Sequence, residues 1–350
     1  MKKAIAILAA ALLLACGAVT ASAEGGSPVF ESERINWEHT RPTGDINLRD
    51  PCTLVYENTY FMYGTGAAWP GYGCYASRDL ENWAGPLAVF TPPAGHDGAG
   101  DWWAPECHEY QGNFYLFASY RSAATGHRGV SIFRSESPLG PFEEISGGHI
   151  TPKDWDAIDG TLYVDEDGQP WLVFVHEWTS MPDGVGDFSC ARLSGDLSQL
   201  ESEITTLFKA SKLPWILWNT VTDGCWLHRT QSGQLLMLWS GFGNGYTVAQ
   251  AVSLSGKVTG PWLQYPIFLY QRNSALPKDG GHGTLFRALD GSLTLSIHSP
   301  NGPGGEERSA FFSVRDDGAS LTLEGNSLPF LRRAGAYLWN GLVQALQLFY

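Results

Sequence analysis

The feature that most constrains the fold is a hairpin-like unit that occurs five times along the chain. Each unit has a short apolar strand, a polar turn and a second strand rich in Tyr, Phe, Trp, Leu and Val. In "VTDGCWLHRTQSGQLLMLWSG", at 221–241, the turn is Ser232-Gly233. The other turns are Glu57-Asn58, Gln111 to Asn113, Asp165 to Gly168 and Asp290-Gly291. The units start 56, 53, 64 and 59 residues apart, at Asp50, Glu106, Asp159, Asp223 and His282.

Units of this length are long enough for four strands each, and repeated four-stranded units are typical of a β-propeller. The composition agrees, because 13% aromatic residues and 41 Gly suit many short strands joined by tight turns. We therefore predict an all-β fold, a five-bladed β-propeller that occupies residues 24–330. A β-sandwich whose hairpins happen to be evenly spaced is the alternative.

The two ends of the chain differ from the repeated units. Residues 1–23 have the pattern of a signal peptide, with Lys2 and Lys3, an apolar run, and Ala21-Ser22-Ala23 as cleavage site. A lipoprotein signal with an acylated Cys16 is the alternative. Both predict export, to the periplasm, the extracellular space or the outer membrane as a lipoprotein. Residues 331–350 do not read like a blade strand, and we predict a short amphipathic helix or an irregular tail there.

Charge and cysteine content exclude several classes of protein. The net charge is −14, which argues against nucleic acid or an anionic membrane as partner, whereas a neutral sugar is compatible. No segment after residue 24 approaches the roughly 20 apolar residues of a membrane span. Five cysteines follow residue 24, and no Cys/His spacing suggests zinc. We expect no disulfide framework.

The starts of the five units are predicted to meet at one place. In a propeller the innermost strand of each blade lines a central channel, so corresponding positions converge on one mouth. Four of the five starting residues are acidic and the fifth is a histidine. Carboxylates brought together raise one another's pKa, and such a cluster is tolerated where chemistry uses it.

Four motifs make the chain resemble glycoside hydrolase family 43, over roughly residues 45–325. They are "LRDP" at 48–51, "WAPE" at 103–106, "IDGTLYVDEDGQPWLVF" at 158–174 and "GGHGTLFRALDG" at 280–291. The resemblance implies a five-bladed propeller that hydrolyses glycosidic bonds with inversion and requires no cofactor. A polysaccharide or oligosaccharide is the implied substrate.

The resemblance also implies roles for four residues. Asp50 matches the general base, and Asp159 matches the aspartate that orients the general acid and tunes its pKa. Glu106, beside the Trp-Ala-Pro, matches an acidic residue that lines the sugar site. His282 matches a histidine in the channel that often binds a calcium ion or a water cluster.

The general acid departs from the family pattern. The family has a glutamate there, usually in Glu-Gly-Pro, whereas this chain has Asp223-Gly224-Cys225. Aspartate is one methylene shorter, so its reach to the glycosidic oxygen depends on the backbone position. Glu177, in "FVHEW" at 174–178, is predicted to end a strand near the same mouth. The acid role stays open between Asp223 and Glu177.

Aromatic residues supply the remaining candidates for the site. Trp102 and Trp103 are predicted to offer a stacking face to a sugar ring. The predicted function is an exported inverting glycosidase that acts on plant-type polysaccharide side chains, with α-L-arabinofuranosidase as first choice. β-Xylosidase, arabinanase and exo-galactanase are the alternatives, together with a propeller that binds glycans without cutting them because Asp223 replaced the acid.

Overall fold

The structure, a computed structural model, describes residues 32–210, 219–302, 305–324 and 330–350, with the backbone alone for residues 330–337. The predicted signal peptide and Cys16 lie outside the described residues. The described chain contains 21 β-strands, two short 3-10 helices and one α-helix. The strands form five antiparallel sheets, each built from consecutive strands.

The strands fall into five blades. Blade 1 contains β1 (Thr40–Pro42), β2 (Arg49–Tyr56), β3 (Thr59–Thr65), β4 (Tyr72–Ser77) and β5 (Asn82–Phe90). Blade 2 contains β6 (Gly98–Tyr110), β7 (Asn113–Ser122), β8 (Arg128–Ser135) and β9 (Glu143–Glu144). Blade 3 contains β10 (Ala157–Val164), β11 (Pro170–His176), β12 (Asp187–Arg192) and β13 (Thr205–Lys209). Blade 4 contains β14 (Asp223–Arg229), β15 (Leu235–Gly243), β16 (Gly245–Ser253) and β17 (Trp262–Gln264). Blade 5 contains β18 (Gly281–Arg287), β19 (Leu293–Ser299), β20 (Arg308–Asp316) and β21 (Leu321–Leu323).

The five-bladed propeller predicted from the repeat is confirmed, and the β-sandwich alternative is wrong. In the four-stranded blades 2 to 5, each predicted hairpin turn joins the first strand to the second. In blade 1 the predicted turn joins β2 to β3. In blade 1 the additional strand β1 pairs with β5 on the side away from the channel. The repeat predicted this architecture because turn chemistry and strand propensity are local properties.

A β-bulge interrupts the innermost strand of every blade near its start. The register shifts lie between Arg49 and Cys52, Trp103 and Glu106, Ile158 and Thr161, Asp223 and Cys225, and Gly281 and Thr284. A residue inside each bulge has a positive φ, namely Asp50 (52°), Ala104 (43°), Asp159 (54°), Gly224 (45°) and His282 (52°). A bulge re-aims a side chain out of the ladder. The five bulges therefore place five re-aimed positions around one end of the channel.

Blades 1 and 5 close the ring through contacts between their innermost strands and between the segments that precede β2 and β20. Asn47 forms an isolated bridge with Arg308, and the Leu48 N–H donates to the Glu307 carbonyl at 3.4 Å. The Thr284 hydroxyl donates to the Pro51 carbonyl at 3.0 Å. These bonds tie the start of the described chain to its last blade without a shared sheet.

The helix α1 (Phe330–Gln347) covers the edge of blades 4 and 5. Val343 is fully buried in the core cluster of these blades, and Trp339 packs against it. The Tyr265 hydroxyl donates to Asn340 Oδ1 at 2.9 Å. The part of the chain predicted as a helix or tail is thus a docked helix. Within the described residues, no helix combines the length and the apolarity that crossing a membrane requires.

Close packing between neighbouring blades predicts a contrast between two glycines of blade 3. A Cβ at Gly160 would lie 2.5 Å from Val130 Cγ1, whereas a Cβ at Gly195 would meet no atom within 4 Å. We expect Gly160→Ala to lower the free energy of unfolding by about 1–3 kcal/mol, and Gly195→Ala to leave it nearly unchanged. Urea titrations of both variants measure this difference. Equal effects would contradict tight packing at the interface of blades 2 and 3.

Candidate active site

A pocket of about 340 Å³ lies at the end of the channel where the bulges cluster. All five blades contribute to its wall, which is formed by Arg49, Asp50, Thr65, Trp103, Ile158, Asp159, Glu177, Trp178, Asp223 and His282. Six of these residues were site candidates from the sequence: Asp50, Trp103, Asp159, Glu177, Asp223 and His282. A larger cavity, about 530 Å³, lies on the outer strands of blade 2 beside Arg134 and Glu143, away from this cluster.

Asp50 is held by three neighbours on different strands. The Thr65 hydroxyl donates to Asp50 Oδ2 at 2.7 Å, and His282 Nδ1 lies 3.3 Å from Oδ1. The Asp50 backbone N–H donates to His298 Nδ1 at 3.2 Å. Burial alone would raise the pKa of Asp50, but the adjacent His282 outweighs it and holds the pKa well below the usual range. Asp50 is therefore a carboxylate at neutral pH.

His282 lies buried between carboxylates of three blades. Its Nδ1 is 3.3 Å from Asp50 Oδ1 and 3.7 Å from Asp159 Oδ2, and its Nε2 is 3.8 Å from Glu106 Oε1. Its backbone N–H donates to Ser240 Oγ at 2.8 Å. Burial lowers the pKa of His282, but the charges of Asp159 and Asp50 raise it more, to well above its ordinary value. The ring is thus a buried imidazolium.

The pKa values of Asp159 and Asp223 are raised, whereas the pKa of Asp50 is lowered. Burial raises the pKa of Asp159 to about 6, although His282 and the Gly224 N–H, which donates to Oδ2 at 2.8 Å, oppose that rise. Burial together with the neighbouring charge of Asp159 raises the pKa of Asp223 to about 8. The Tyr246 hydroxyl donates to Asp223 Oδ2 at 2.9 Å. Asp223 is therefore protonated at neutral pH.

Glu177 forms part of the pocket wall as the partner of an arginine. Arg128 Nε and Nη2 lie 2.8 and 2.7 Å from Glu177 Oε2. Burial raises the pKa of Glu177 above its ordinary value, although the charge of Arg128 opposes that rise. The sequence correctly predicted that Glu177 follows the second strand of blade 3 at the pocket mouth.

The expectation that Glu106 lines the sugar site is corrected by the structure. Glu106 has 0% exposure and lies two residues beyond the bulge residue Ala104, so that it faces the channel below the pocket. Two residues separated by one position in a strand point to the same side, and the second of them, here Glu106, lies farther along the channel from the pocket. Its nearest charged neighbours are His108 Nε2, at 3.3 Å, and His282.

The residues around His282 do not fit a calcium ion bound directly to protein. Both carboxylate oxygens of Glu106 and Nε2 of His282 are buried without a hydrogen-bond partner among the described residues. Calcium takes six to eight oxygen ligands, however, and among the described residues Glu106 is the one carboxylate within 4 Å of Nε2 of His282. A protonated imidazole is also not a metal ligand. Among the described residues, no group of three or more His, Cys, Asp and Glu could hold a metal ion.

Of the two adjacent tryptophans, only Trp103 reaches the pocket. Trp102 is 2% exposed and packs in the core against Tyr72 and Tyr120, with ring centroids 5.5 and 5.3 Å away. Trp103 lines the pocket beneath the guanidinium of Arg128, 5.1 Å from its ring centroid. The expectation that Trp102 stacks on a sugar is wrong, because neighbouring side chains of a strand point to opposite faces.

Three side chains that donate hydrogen bonds to the candidate carboxylates were not found from the sequence: Thr65, Arg128 and Tyr246. Each lies on the second or third strand of its blade and enters the site through the tertiary fold. The motifs cover the innermost strands and, in blade 3, the second strand, and none of them includes these three residues. No local signal distinguishes these three residues from others of their type.

Comparison with known proteins shows the family of this chain. The family model of glycosyl hydrolases family 43 matches residues 39–312. The chain belongs to this family. The endo-arabinase of Bacteroides thetaiotaomicron has a similar structure, with 36% identity and a TM-score of 0.71 over 78% of this chain and 96% of the other. An endo-1,4-β-xylanase structure from the same organism is 27% identical, with a TM-score of 0.69 over 82% and 97% of the two chains.

Curated relatives have several activities. An extracellular exo-α-(1→5)-L-arabinofuranosidase of Cellvibrio japonicus is 26% identical over 44% of this chain and 46% of its own length. A putative β-xylosidase of Escherichia coli is 25% identical over 71% of this chain and 46% of its own. The chain spans about half the length of the curated relatives it matches.

The opposite orientations of Trp102 and Trp103 predict a difference in stability between two variants. We expect Trp102→Ala to lower the free energy of unfolding by about 3–5 kcal/mol, because it empties a fully packed site. Trp103→Ala removes a half-buried side chain at the pocket wall, so we expect less than half of that loss. Denaturant titration of the two variants measures both values. A larger loss for Trp103→Ala would show that the two rings had been assigned to the wrong faces.

Proposed function

We propose that this chain is an inverting glycoside hydrolase that releases α-L-arabinofuranosyl groups from plant-type polysaccharides. The observation that carries the proposal is the pair Asp50 and Asp223. They line one pocket with their pKa values shifted in opposite directions, so that one is ionised and the other protonated at neutral pH. Inverting hydrolysis uses one carboxylate as base and one carboxylic acid as proton donor.

In this mechanism, Asp223 donates its proton to the glycosidic oxygen as the bond from that oxygen to the anomeric carbon breaks. Asp50 removes a proton from a water molecule, which attacks the anomeric carbon from the opposite face. The product has inverted configuration. Asp50 then carries a proton and Asp223 a charge, and exchange with solvent restores both. Asp159 supplies the nearby negative charge that keeps Asp223 protonated until the bond breaks.

The environments of the two acid candidates favour Asp223 over Glu177. Two nitrogens of Arg128 contact the Glu177 carboxylate, so protonation of Glu177 would break an ion pair. Among the described residues, no cation lies within 4 Å of the Asp223 carboxyl group, and the hydrogen bond that it accepts comes from the neutral hydroxyl of Tyr246. Protonation of Asp223 also relieves repulsion with Asp159. We therefore assign the acid role to Asp223.

The substrate and the location of the proposed enzyme are inferred from the pocket wall, the relatives and the first residues of the chain. The pocket wall includes Trp103 and Trp178, and indole rings suit the apolar face of a sugar. The relatives include an exo-arabinofuranosidase and an endo-arabinanase, both described as extracellular. Together with the signal-peptide pattern of residues 1–23, this supports export. A panel of arabinan, arabinoxylan, xylan and arabinogalactan, with analysis of the released sugars, tests the substrate. A folded protein that releases nothing from the panel would favour the glycan-binding propeller.

Replacement of the base tests the assignment of Asp50. We expect Asp50→Asn to lower kcat by roughly 10²–10⁴-fold, because an amide cannot accept the proton of the attacking water. Asp316→Asn is the control, since it removes a carboxylate paired with His228 at 3.1 Å that does not line the pocket. Initial rates with an aryl α-L-arabinofuranoside measure both. Retention of more than a tenth of the wild-type rate by Asp50→Asn would remove Asp50 from the base role.

Leaving-group dependence tests the acid. A nitrophenolate leaves with little need for a proton, whereas a sugar hydroxyl needs one. We therefore expect Asp223→Asn to slow release from arabino-oligosaccharides by at least about 100-fold more than hydrolysis of the nitrophenyl glycoside. Glu177→Gln should show no such difference between the two substrates. The reverse pattern would move the acid role to Glu177.

The pH profile tests the protonation states. Asp223 acts while protonated, so activity should fall as pH rises through its pKa of about 8. The hydrogen bond from Tyr246 stabilises the charged form of Asp223, so Tyr246→Phe should raise this pKa and shift the basic limb upward by roughly one pH unit. Tyr270→Phe, which loses a hydroxyl bonded to the Lys278 carbonyl, should leave the limb in place. A downward shift in Tyr246→Phe would contradict the assigned hydrogen bond.

A further inference from the structure

The proposed mechanism leaves unused a charged cluster centred on Arg128, which reaches the pocket wall through Glu177. The guanidinium contacts three carboxylates: Glu177 Oε2 at 2.7 Å, Asp101 Oδ2 at 3.3 Å and Asp156 Oδ2 at 3.6 Å. All four side chains are less than 20% exposed. A buried cluster of this kind is costly to desolvate and often contributes little net stability. Its position beside the sugar pocket indicates a role in binding.

Within the described residues, the contacts of Arg128 with Glu177 all end on Oε2: a hydrogen bond from Nε at 2.8 Å and an ion-pair contact from Nη2 at 2.7 Å. Thr179 is also a hydrogen-bond partner of Glu177, and its hydroxyl donates to Asp156 Oδ2 at 3.0 Å. Because Glu177 forms part of the pocket wall, Oε1 is left as an acceptor for a donor inside the pocket. A neutral sugar offers such donors as hydroxyl groups.

The same guanidinium also fixes the neighbouring aromatic wall. The carbon at the centre of the Arg128 guanidinium lies 5.1 Å from the ring centroid of Trp103, within the range of a cation–π contact. Glu177 and Trp103 come from blades 3 and 2, so Arg128 joins two otherwise separate walls of the pocket. A change at Arg128 would therefore disturb the acceptor oxygen and the stacking face together.

We infer that Glu177 Oε1 accepts a hydrogen bond from one hydroxyl group of the bound sugar, and that Arg128 positions both Glu177 and Trp103 to receive that sugar. This inference rests on the proposed function, because it requires a sugar in the pocket. It assigns Glu177 to substrate selection instead of proton transfer. Arg128 is a positioning residue that does not touch the substrate itself.

A cycle of paired changes in enzyme and substrate tests the hydrogen bond. Wild type and Glu177→Ala are assayed with nitrophenyl α-L-arabinofuranoside and with its 2-, 3- and 5-deoxy analogues. We expect Glu177→Ala to lower kcat/KM for the parent compound by on the order of 10- to 100-fold, mostly through KM. One deoxy analogue should show a similar loss with wild type and no further loss with the variant. A purely structural residue would not single out one hydroxyl. If all losses are additive, the inference is wrong.

Variants of Arg128 test the positioning role. Lysine keeps the charge but cannot form the fork or stack on the indole in the same way, so Arg128→Lys should raise KM by roughly tenfold with kcat nearly unchanged. The effect should be absent with the one deoxy analogue that lacks the selected hydroxyl. Asp183→Asn, which breaks the exposed ion pair with Lys209 elsewhere on blade 3, is the matched control and should leave KM unchanged. A loss confined to kcat would overturn the positioning role.

Two further measurements separate the possible failures. Thermal unfolding of each variant checks that it is folded, and Glu177→Gln, which keeps the side-chain volume, replaces Glu177→Ala if the latter does not fold. If wild type cleaves no arabinofuranoside, the proposed function fails. In that case calorimetry measures the binding of methyl α-L-arabinofuranoside and its deoxy analogues to wild type and to Glu177→Ala, and the affinities are compared in the same cycle. The absence of binding to wild type would overturn the inference as well.

Discussion

The charge of one buried histidine determines how the other groups of the site behave. His282 has Asp50, Asp159 and Glu106 within 4 Å of its ring nitrogens. Without a cation among them, three buried carboxylates could not all remain ionised, because each desolvated charge raises the pKa of the next. The imidazolium contacts Asp50 more closely than Asp159, so it stabilises the charge on Asp50 first. Burial, together with the remaining repulsion between the carboxylates, raises the pKa values of Asp159 and Asp223 instead.

The bulges are the backbone device that makes this cluster possible. A regular strand would leave each of these side chains in its ladder, alternating between the two faces of the sheet. At the bulges, Asp50, Asp159 and His282 adopt a left-handed conformation that costs roughly 1–2 kcal/mol for a residue with a Cβ. Strain of this kind persists only where the surrounding structure enforces it. The cost is thus concentrated at the three residues that set the charges of the pocket.

The bulges also explain which parts of the site were predictable from the sequence. The repeat of hairpins gave five blades, and the first residues of the units in blades 1, 3 and 5 proved to be the bulge residues. In blade 2 the bulge falls on Ala104, two residues before Glu106, and no local pattern marks this offset. Which side of the strand Trp102 and Trp103 occupy depends on the same bulge, which the sequence does not mark. Residues such as Arg128 and Tyr246 enter from other strands, so only the assembled fold reveals them.

The aspartate at the acid position is compatible with this backbone geometry. Asp223 precedes Gly224, whose φ of 45° and lack of a side chain allow the chain to approach His282. A Cβ at position 224 would lie 2.9 Å from the His282 ring, so only glycine permits this approach. The backbone of blade 4 therefore runs closer to the channel axis than a residue with a side chain would allow. The close approach also brings the Gly224 N–H to Asp159 Oδ2, to which it donates at 2.8 Å. Blade 4 is thereby joined to blade 3 at the point where Asp159 and Asp223, the two carboxyl groups with raised pKa, face each other.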